Sequence, residues 1–76
     1  MRVSYDPKVD AVYLRFVEGK QEVTTLRLSE DVAIDCDSKG GIVGIEILSA
    51  HEYLRFAGDQ PLMQFENLAV ERVGVS

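Results

Sequence analysis

Residues 31–48 read DVAIDCDSKGGIVGIEIL, and this stretch decides the fold. Apolar and polar residues alternate on both sides of the central SKGG segment, as in a half-buried β-strand whose successive side chains point to opposite faces. Gly, Ser and Asp are the residues that tight turns require. A two-residue turn at 38–39 pairs Ile34 with Val43. The stretch therefore predicts a β-hairpin.

Three further apolar stretches precede this hairpin, and turn residues separate them at positions 6–7, 18–20 and 29–31. Loops this short join antiparallel neighbours, because a parallel connection needs about a dozen residues. The spacing predicts five strands in a meander, in which each strand lies beside the next one along the chain. In particular, the loop at 18–20 places the second strand beside the third, with Leu14 opposite Thr24.

One face of the predicted sheet collects nearly all the apolar side chains. The third hairpin pairs Leu26 with Ile34, and Val3 and Tyr5 join the same side if the first hairpin pairs Tyr5 with Val12. This core face comprises Val3, Tyr5, Val12, Leu14, Phe16, Leu26, Leu28, Val32, Ile34, Cys36, Val43, Ile45 and Ile47. The opposite face is mixed, as is typical of a sheet side that meets water, and carries Tyr13, Arg15, Thr25, Arg27, Asp35, Ile42, Glu46 and Leu48.

The residue pattern changes after the fifth strand. Ser49 and Glu52 have the spacing of a capping box, and the apolar residues that follow recur at helical intervals. Gly58 ends this predicted helix, which covers 49–58. The remaining tail, 59–76, is too apolar for a disordered segment, and we expect it to pack on the sheet or on a second chain.

The sequence therefore predicts an α+β fold in one small domain, 1–76: a five-stranded antiparallel β-meander (1–48), a short helix and an apolar C-terminal tail. Part of the tail, 68–75, is a candidate sixth strand, while 62–68 suits a helix or a strand equally.

Composition excludes several classes of function. The formal net charge of −5 argues against nucleic acid as a partner, since phosphate contacts need a basic surface. No apolar run approaches the roughly 20 residues that cross a bilayer, so we expect no membrane association. The start of the chain lacks the apolar centre of a signal peptide, which predicts a cytoplasmic protein.

Few residues suggest chemistry. Cys36 is the only cysteine and His51 the only histidine, so no nucleophile–base pair can be assembled, and we expect neither catalytic residues nor a cofactor. Asp35 and Glu46 are weak candidates for a divalent metal site, because carboxylates grouped on one sheet face suit a hard cation. The same carboxylates could instead form cross-strand ion pairs with the two arginines of the mixed face, which we favour.

Three segments carry a resemblance to a known family: YDP at 5–7, DAVYL at 10–14 and GIEIL at 44–48. In this order and spacing they resemble domain of unknown function family 2283, over roughly residues 1–50. The family has no established activity. The resemblance implies a small non-enzymatic protein, and some members resemble antitoxin-like partners of small toxin-like proteins. It transfers no catalytic residue.

A second copy or another protein is the expected partner. A domain of this size buries little surface, and one short helix leaves much of the core face uncovered. We therefore expect a non-enzymatic protein–protein interaction module, most simply a homodimer, and regard an antitoxin-like or regulatory role as a narrower form of it. The alternative is a small-ligand or metal-binding domain, with or without weak hydrolytic activity, that uses Asp35, Glu46 and the region of His51. Candidate residues for the interaction face are Tyr13, Arg15, Ile42, Leu48 and Phe65.

Overall fold

The structure is a computed structural model, and it describes residues 1–19 and 22–63. A five-stranded antiparallel sheet and one short helix confirm the predicted α+β class. The elements, in chain order, are β1 (Arg2–Asp6), β2 (Ala11–Arg15), β3 (Thr24–Arg27), β4 (Val32–Cys36), β5 (Ile42–Ile47), α1 (Ala50–Tyr53), β6 (Phe56–Ala57) and β7 (Gln60–Pro61). No helix in this described part of the chain has the length and apolarity needed to cross a membrane.

The order of the strands differs from the predicted meander. It is β1-β2-β5-β4-β3, so β2 lies beside β5 rather than β3, and the sheet contains a Greek-key arrangement. Leu14 is opposite Ile45 and not Thr24. The tight loop predicted at 18–20 was therefore wrong. Alternation fixes which face a side chain occupies, but it allows β2 to pair with β3 or with β5. The β2–β5 pairing is favoured because it places two rows of aliphatic side chains together.

Two predicted registers are confirmed and one is shifted. Tyr5 is opposite Val12, and Leu26 is opposite Ile34. In the central hairpin Ile34 faces Ile45 instead of Val43. The cause is a longer loop, in which Asp37 N–H donates to the carbonyl of Gly41 (2.8 Å), together with an irregularity beside Cys36 that leaves an extra residue on β5. Val32 and Ile34 still lie opposite β5 residues of the predicted core face, whereas Cys36 lies opposite Ile42, which the prediction placed on the other face.

The helix is much shorter than predicted. It covers only Ala50–Tyr53, and the capping box is absent because Ser49 is left-handed (φ 52°) and makes no side-chain cap. Leu54 is already extended, and the predicted last turn of the helix is the first strand of a β6–β7 hairpin. Gly58, which the sequence assigned as the helix stop, instead supplies the positive φ (63°) of this two-residue turn. The predicted sixth strand lies outside the described residues.

The core occupies one end of the sheet. Val12, Leu14 and Ala50 form its buried centre, and the residues packed around them come from β1, β5, β6 and the end of α1: Val3, Tyr5, Ile45, Ile47, Leu54 and Phe56. The other end differs from the prediction, because Leu26 and Leu28 are 56 % and 57 % exposed, and Phe16, which directly follows β2, is also exposed. These three side chains lie on the predicted face of the sheet, but no described element covers them.

Candidate functional site

The mixed face of the sheet holds a hydrogen-bonded group centred on Asp35. This carboxylate accepts from the Tyr13 hydroxyl (2.8 Å) and from the Thr25 hydroxyl (2.6 Å), so the group joins β2, β4 and β3. Partial burial, with the hydrogen bond to Asp35, raises the pKa of Tyr13. Tyr13 is therefore a neutral donor at physiological pH, and Asp35 already has two donors.

Gly44 lies directly beneath Tyr13, and this contact explains a glycine in the middle of a strand. A Cβ at position 44 would lie 2.1 Å from the Tyr13 hydroxyl oxygen and 2.4 Å from the ring carbon that bears it. Only a residue without a side chain lets the tyrosine cross β5 to reach Asp35. The close approach to the sheet at this position thus comes from the same chain and gives no support to a partner there.

The two arginines of this face differ in their contacts. Arg27 lies 3.6 Å from Glu46 in an exposed ion pair, as the cross-strand alternative expected. Arg15 makes no ion pair with either carboxylate: its guanidinium donates to the carbonyls of Val17 (3.2 Å) and Gly19 (3.1 Å). Within residues 1–19 and 22–63 there is no group of three or more metal-ligating side chains. A cation at Asp35 or Glu46 would thus displace donors that are already in place.

A second polar group lies beside the core and joins His51 to Asp10, a contact that the sequence did not indicate. His51 Nδ1 is 2.6 Å from Asp10 Oδ1, and the Tyr5 hydroxyl donates to the same oxygen at 2.8 Å. The His51 ring stacks on Phe56, with 3.7 Å between ring centroids. We call Tyr5, Asp10, His51 and Phe56 the histidine cluster. Forty-one residues separate Asp10 from His51, so no local spacing could have linked them.

The backbone around the histidine cluster shows why the cluster forms. Asp10 is left-handed (φ 53°), a conformation that Asp tolerates better than most residues. Its carbonyl accepts from the N–H of Ala50 (2.9 Å), and its carboxylate accepts from the N–H of His51 (3.2 Å). Asp10 thus fastens the start of α1 to the turn between β1 and β2.

Electrostatics in the histidine cluster favour this arrangement. The hydrogen bond from His51 is the main cause that lowers the pKa of Asp10. Burial, followed by the hydrogen bond to Asp10, raises the pKa of Tyr5 to about 12. An Asp–His pair orients the base of many hydrolytic sites, but within residues 1–19 and 22–63 no serine, threonine or cysteine hydrogen-bonds His51. The observed contacts fit a clamp between α1 and the sheet.

The third feature is a pair of exposed apolar side chains on the core side of the sheet: Leu26 on β3 and Leu28 directly after it. We call Leu26 and Leu28 the apolar row. Tyr53, whose hydroxyl donates to Asp31 (2.5 Å) in the loop between β3 and β4, is exposed at the adjoining edge of α1. Beside it lies an open groove of about 570 Å³, lined by Tyr53, Leu54, Arg55, Leu62 and Met63.

The residues predicted for the interaction face differ in their exposure and in their contacts. Tyr13 and Arg15 use their polar atoms within the chain, as described above, whereas Ile42 is 47 % exposed and Leu48 is half-buried. Phe65 lies outside the described residues. Cys36, assigned to the core face, is a half-buried free thiol. The apolar row could have been found from the sequence only by knowing which half of the sheet α1 and β6 cover.

An antiparallel sheet of five strands with a single helical turn on one end defines a small α+β domain that contains no recognisable catalytic constellation among its described residues. The chain belongs to the family described as "Protein of unknown function (DUF2283)", whose model matches residues 2–51. This match confirms the resemblance read from the sequence, and it includes Tyr5, Asp10 and His51. No curated protein and no solved structure gives a significant match.

Proposed function

We propose that this protein is a non-enzymatic protein–protein interaction module that works as a homodimer. The observation that carries the proposal is the contrast between a very small core and the exposed apolar row. In the part of the chain that the structure describes, the buried apolar residues are Val12, Leu14, Ala33, Val43 and Ala50.

A core of this size is marginal for an independent domain. Chains of this length bury only roughly 60 % of the surface that they expose when unfolded, and small domains commonly gain stability from a partner chain. The single cysteine cannot form a disulfide within the chain. Burial of Leu26 and Leu28 against a second copy would add apolar contacts on the side of the sheet where the core is thinnest.

The non-enzymatic part of the proposal is supported by the contacts of the ionisable groups. Asp35 is bound by two hydroxyl donors, Glu46 faces Arg27, and the histidine of the histidine cluster is paired with Asp10 and stacked on Phe56. Each of these groups has a sufficient partner within the fold. None is left with a donor or acceptor buried and unsatisfied among the described residues.

The antitoxin-like or regulatory role is a narrower form of the proposal. A net charge of −5 suits a basic partner, because charge complementarity sets association rate and specificity. Co-purification of the protein with the product of an adjacent gene tests this form. We expect the complex to dissociate in roughly 0.5 M salt, because salt screens the attraction between exposed charges. Recovery of the protein without any partner would contradict the antitoxin-like role.

Light scattering coupled to size-exclusion chromatography tests the homodimer. We expect a mass that rises with concentration toward twice the 8.5 kDa of one chain. A mass of one chain at every concentration up to the high micromolar range would refute the homodimer, whatever surface had been expected to form it.

A further inference from the structure

We propose that two copies join through their β3 strands, which pair antiparallel with Leu26 at the two-fold axis, and form one continuous sheet of ten strands. This inference rests on the proposed homodimer and specifies its interface. It is carried by three observations on β3: the direction of its free backbone groups, the composition of its edge, and the self-complementarity of one register.

The pairing of β3 with β4 determines which backbone groups of β3 are free of partners among the described strands. The N–H of Leu28 donates to the carbonyl of Val32 (2.9 Å). Because hydrogen-bonded pairs alternate along an antiparallel ladder, Leu26 also directs its backbone groups toward β4. The backbone groups of Thr25 and Arg27 therefore point away from the sheet, where they can pair with another strand.

The composition of β3 leaves this edge open. Proteins commonly block an edge strand with Pro, Lys, a bulge or charged side chains. All four residues of β3, TTLR, are exposed, and Arg27 is the one charged residue among them. The opposite edge strand, β1, has a charged residue at each end, and its Arg2 forms an ion pair with Glu18 (3.2 Å). Of the two edges, β3 is the one suited to pairing.

Three symmetric registers use the free backbone groups of β3, and two of them place one of its free residues opposite a residue outside the strand and also bring an unfavourable pair of side chains together. With Arg27 opposite Arg27 of the second copy, two like charges oppose each other, which destabilises a sheet pair. With Thr25 opposite Thr25 of the second copy, Glu22 falls opposite Leu28 on the apolar side. The remaining register places Leu26 opposite Leu26, and all four free N–H and C=O groups of each β3 then find partners.

This register is also complementary in its side chains. Arg27 of each copy lies opposite Thr25 of the other copy, whose hydroxyl is bound to the Asp35 carboxylate at 2.6 Å. A guanidinium thus approaches a carboxylate on both sides of the axis, while Leu26 pairs with itself across it. The two Glu22 side chains fall opposite Glu30 beyond the strand ends, at exposed positions where water and salt screen the repulsion.

The expected dimer is weak. One strand edge and two leucines per copy make a small interface, and interfaces below about 1,200 Å² are typical of transient complexes. We therefore expect a dissociation constant in the micromolar range, which sedimentation equilibrium can measure for the full chain.

A charge at the axis provides the first test. Leu26→Lys places two ammonium groups opposite each other, and the fold should tolerate it because Leu26 is 56 % exposed in one chain. We expect the dissociation constant to rise at least about tenfold, which corresponds to about 1.4 kcal/mol. The matched control is Ile42→Lys, which changes an apolar residue of similar exposure (47 %) away from the β3 edge and should alter the constant less than about twofold. Circular dichroism confirms that both variants are folded.

Cysteine cross-linking provides the second test. In a Cys36→Ala background, Leu26→Cys puts two thiols at a non-hydrogen-bonded pair, where Cα atoms lie about 4.5 Å apart and can form a disulfide. Ser4→Cys, at the exposed centre of β1, is the control for the other edge. We expect rapid formation of a covalent dimer for Leu26→Cys only.

The outcomes separate this inference from the proposed function. A wild-type dimer that is weakened by Ile42→Lys, or cross-linked through position 4 and not 26, would overturn the β3 interface and leave the homodimer standing. A wild-type protein that remains a monomer would overturn both.

Discussion

The two ends of the sheet differ in what covers them, although the same alternation of residues produced both. At the β1–β2–β5 end, α1 and β6 lie over the sheet, and Leu14 is 9 % exposed. At the β4–β3 end, Leu26 occupies the same face two strands beyond β5 and is mostly exposed. Alternation in the sequence therefore sets only the face toward which an apolar side chain points, whereas its burial requires a second layer over that face.

The largest expected effect comes from equivalent truncations at the two ends. Leu14→Ala leaves a cavity in the core and should lower the free energy of unfolding by about 3 kcal/mol, while Leu26→Ala should cost below about 1 kcal/mol in dilute solution. Urea denaturation measures both. The loss for Leu26→Ala should grow with protein concentration, since the leucine becomes buried only in the dimer. Equal losses in dilute solution would show that the β3 end is also covered within one chain.

A smaller effect is expected where Tyr13 connects the two ends across the mixed face. Gly44→Ala places a methyl group against the Tyr13 hydroxyl and should break its bond to Asp35, at a cost of about 1–2 kcal/mol. In a Tyr13→Ala background the same change should be neutral or slightly stabilising, because Ala loses less chain entropy than Gly on folding. A double-mutant cycle in urea measures this coupling. If the stability costs of Gly44→Ala and Tyr13→Ala simply add, Gly44 has a role other than making room for the Tyr13 side chain.

A change confined to high pH is expected from the histidine cluster at the covered end. Folding raises the pKa of Tyr5 from 10.0 to about 12, so the folded chain holds the phenol proton more tightly than the unfolded chain. This contribution to stability is complete below pH 10 and is lost as pH rises toward 12. Tyr5→Phe should flatten that part of the stability–pH curve, measured by thermal unfolding. An unchanged slope would contradict the role of the Tyr5–Asp10 bond.

The smallest effect is expected from divalent cations on the mixed face. Asp35 and Glu46 already have partners in Thr25, Tyr13 and Arg27, and a cation would need to displace them. Titration with Mg²⁺ or Ca²⁺ should thus give no heat and no rise in melting temperature. A rise that is lost in the Asp35→Asn variant, with the fold intact, would instead favour the metal-binding alternative.

The sequence predicted some local features correctly and missed those that depend on long-range contacts. The turn at residues 6–7 was correctly assigned, since Asp6 accepts the N–H of Lys8 (3.0 Å) as an Asx turn does. The pairing of Tyr5 with Val12, which was assumed for the first hairpin, is the observed one. The capping box at Ser49 was wrong, because tertiary contacts of Ala50 and His51 with Asp10 already satisfy the first N–H groups of α1. The histidine cluster could not be predicted, since it depends on a contact across 41 residues.

By itself the sequence determined the five strands of the main sheet, their antiparallel sense and the face of most of their apolar side chains, because turns and alternation are local properties of the chain. Only the tertiary structure decided that β2 lies beside β5, that Asp10 fastens α1 over one end, and that β3 is an edge strand of the described sheet. The physical reason is that alternation is preserved under any shift of two residues and under any exchange of antiparallel neighbours. The choice among such arrangements rests on long-range packing, and in this protein it also decides which leucines are free to meet a second copy.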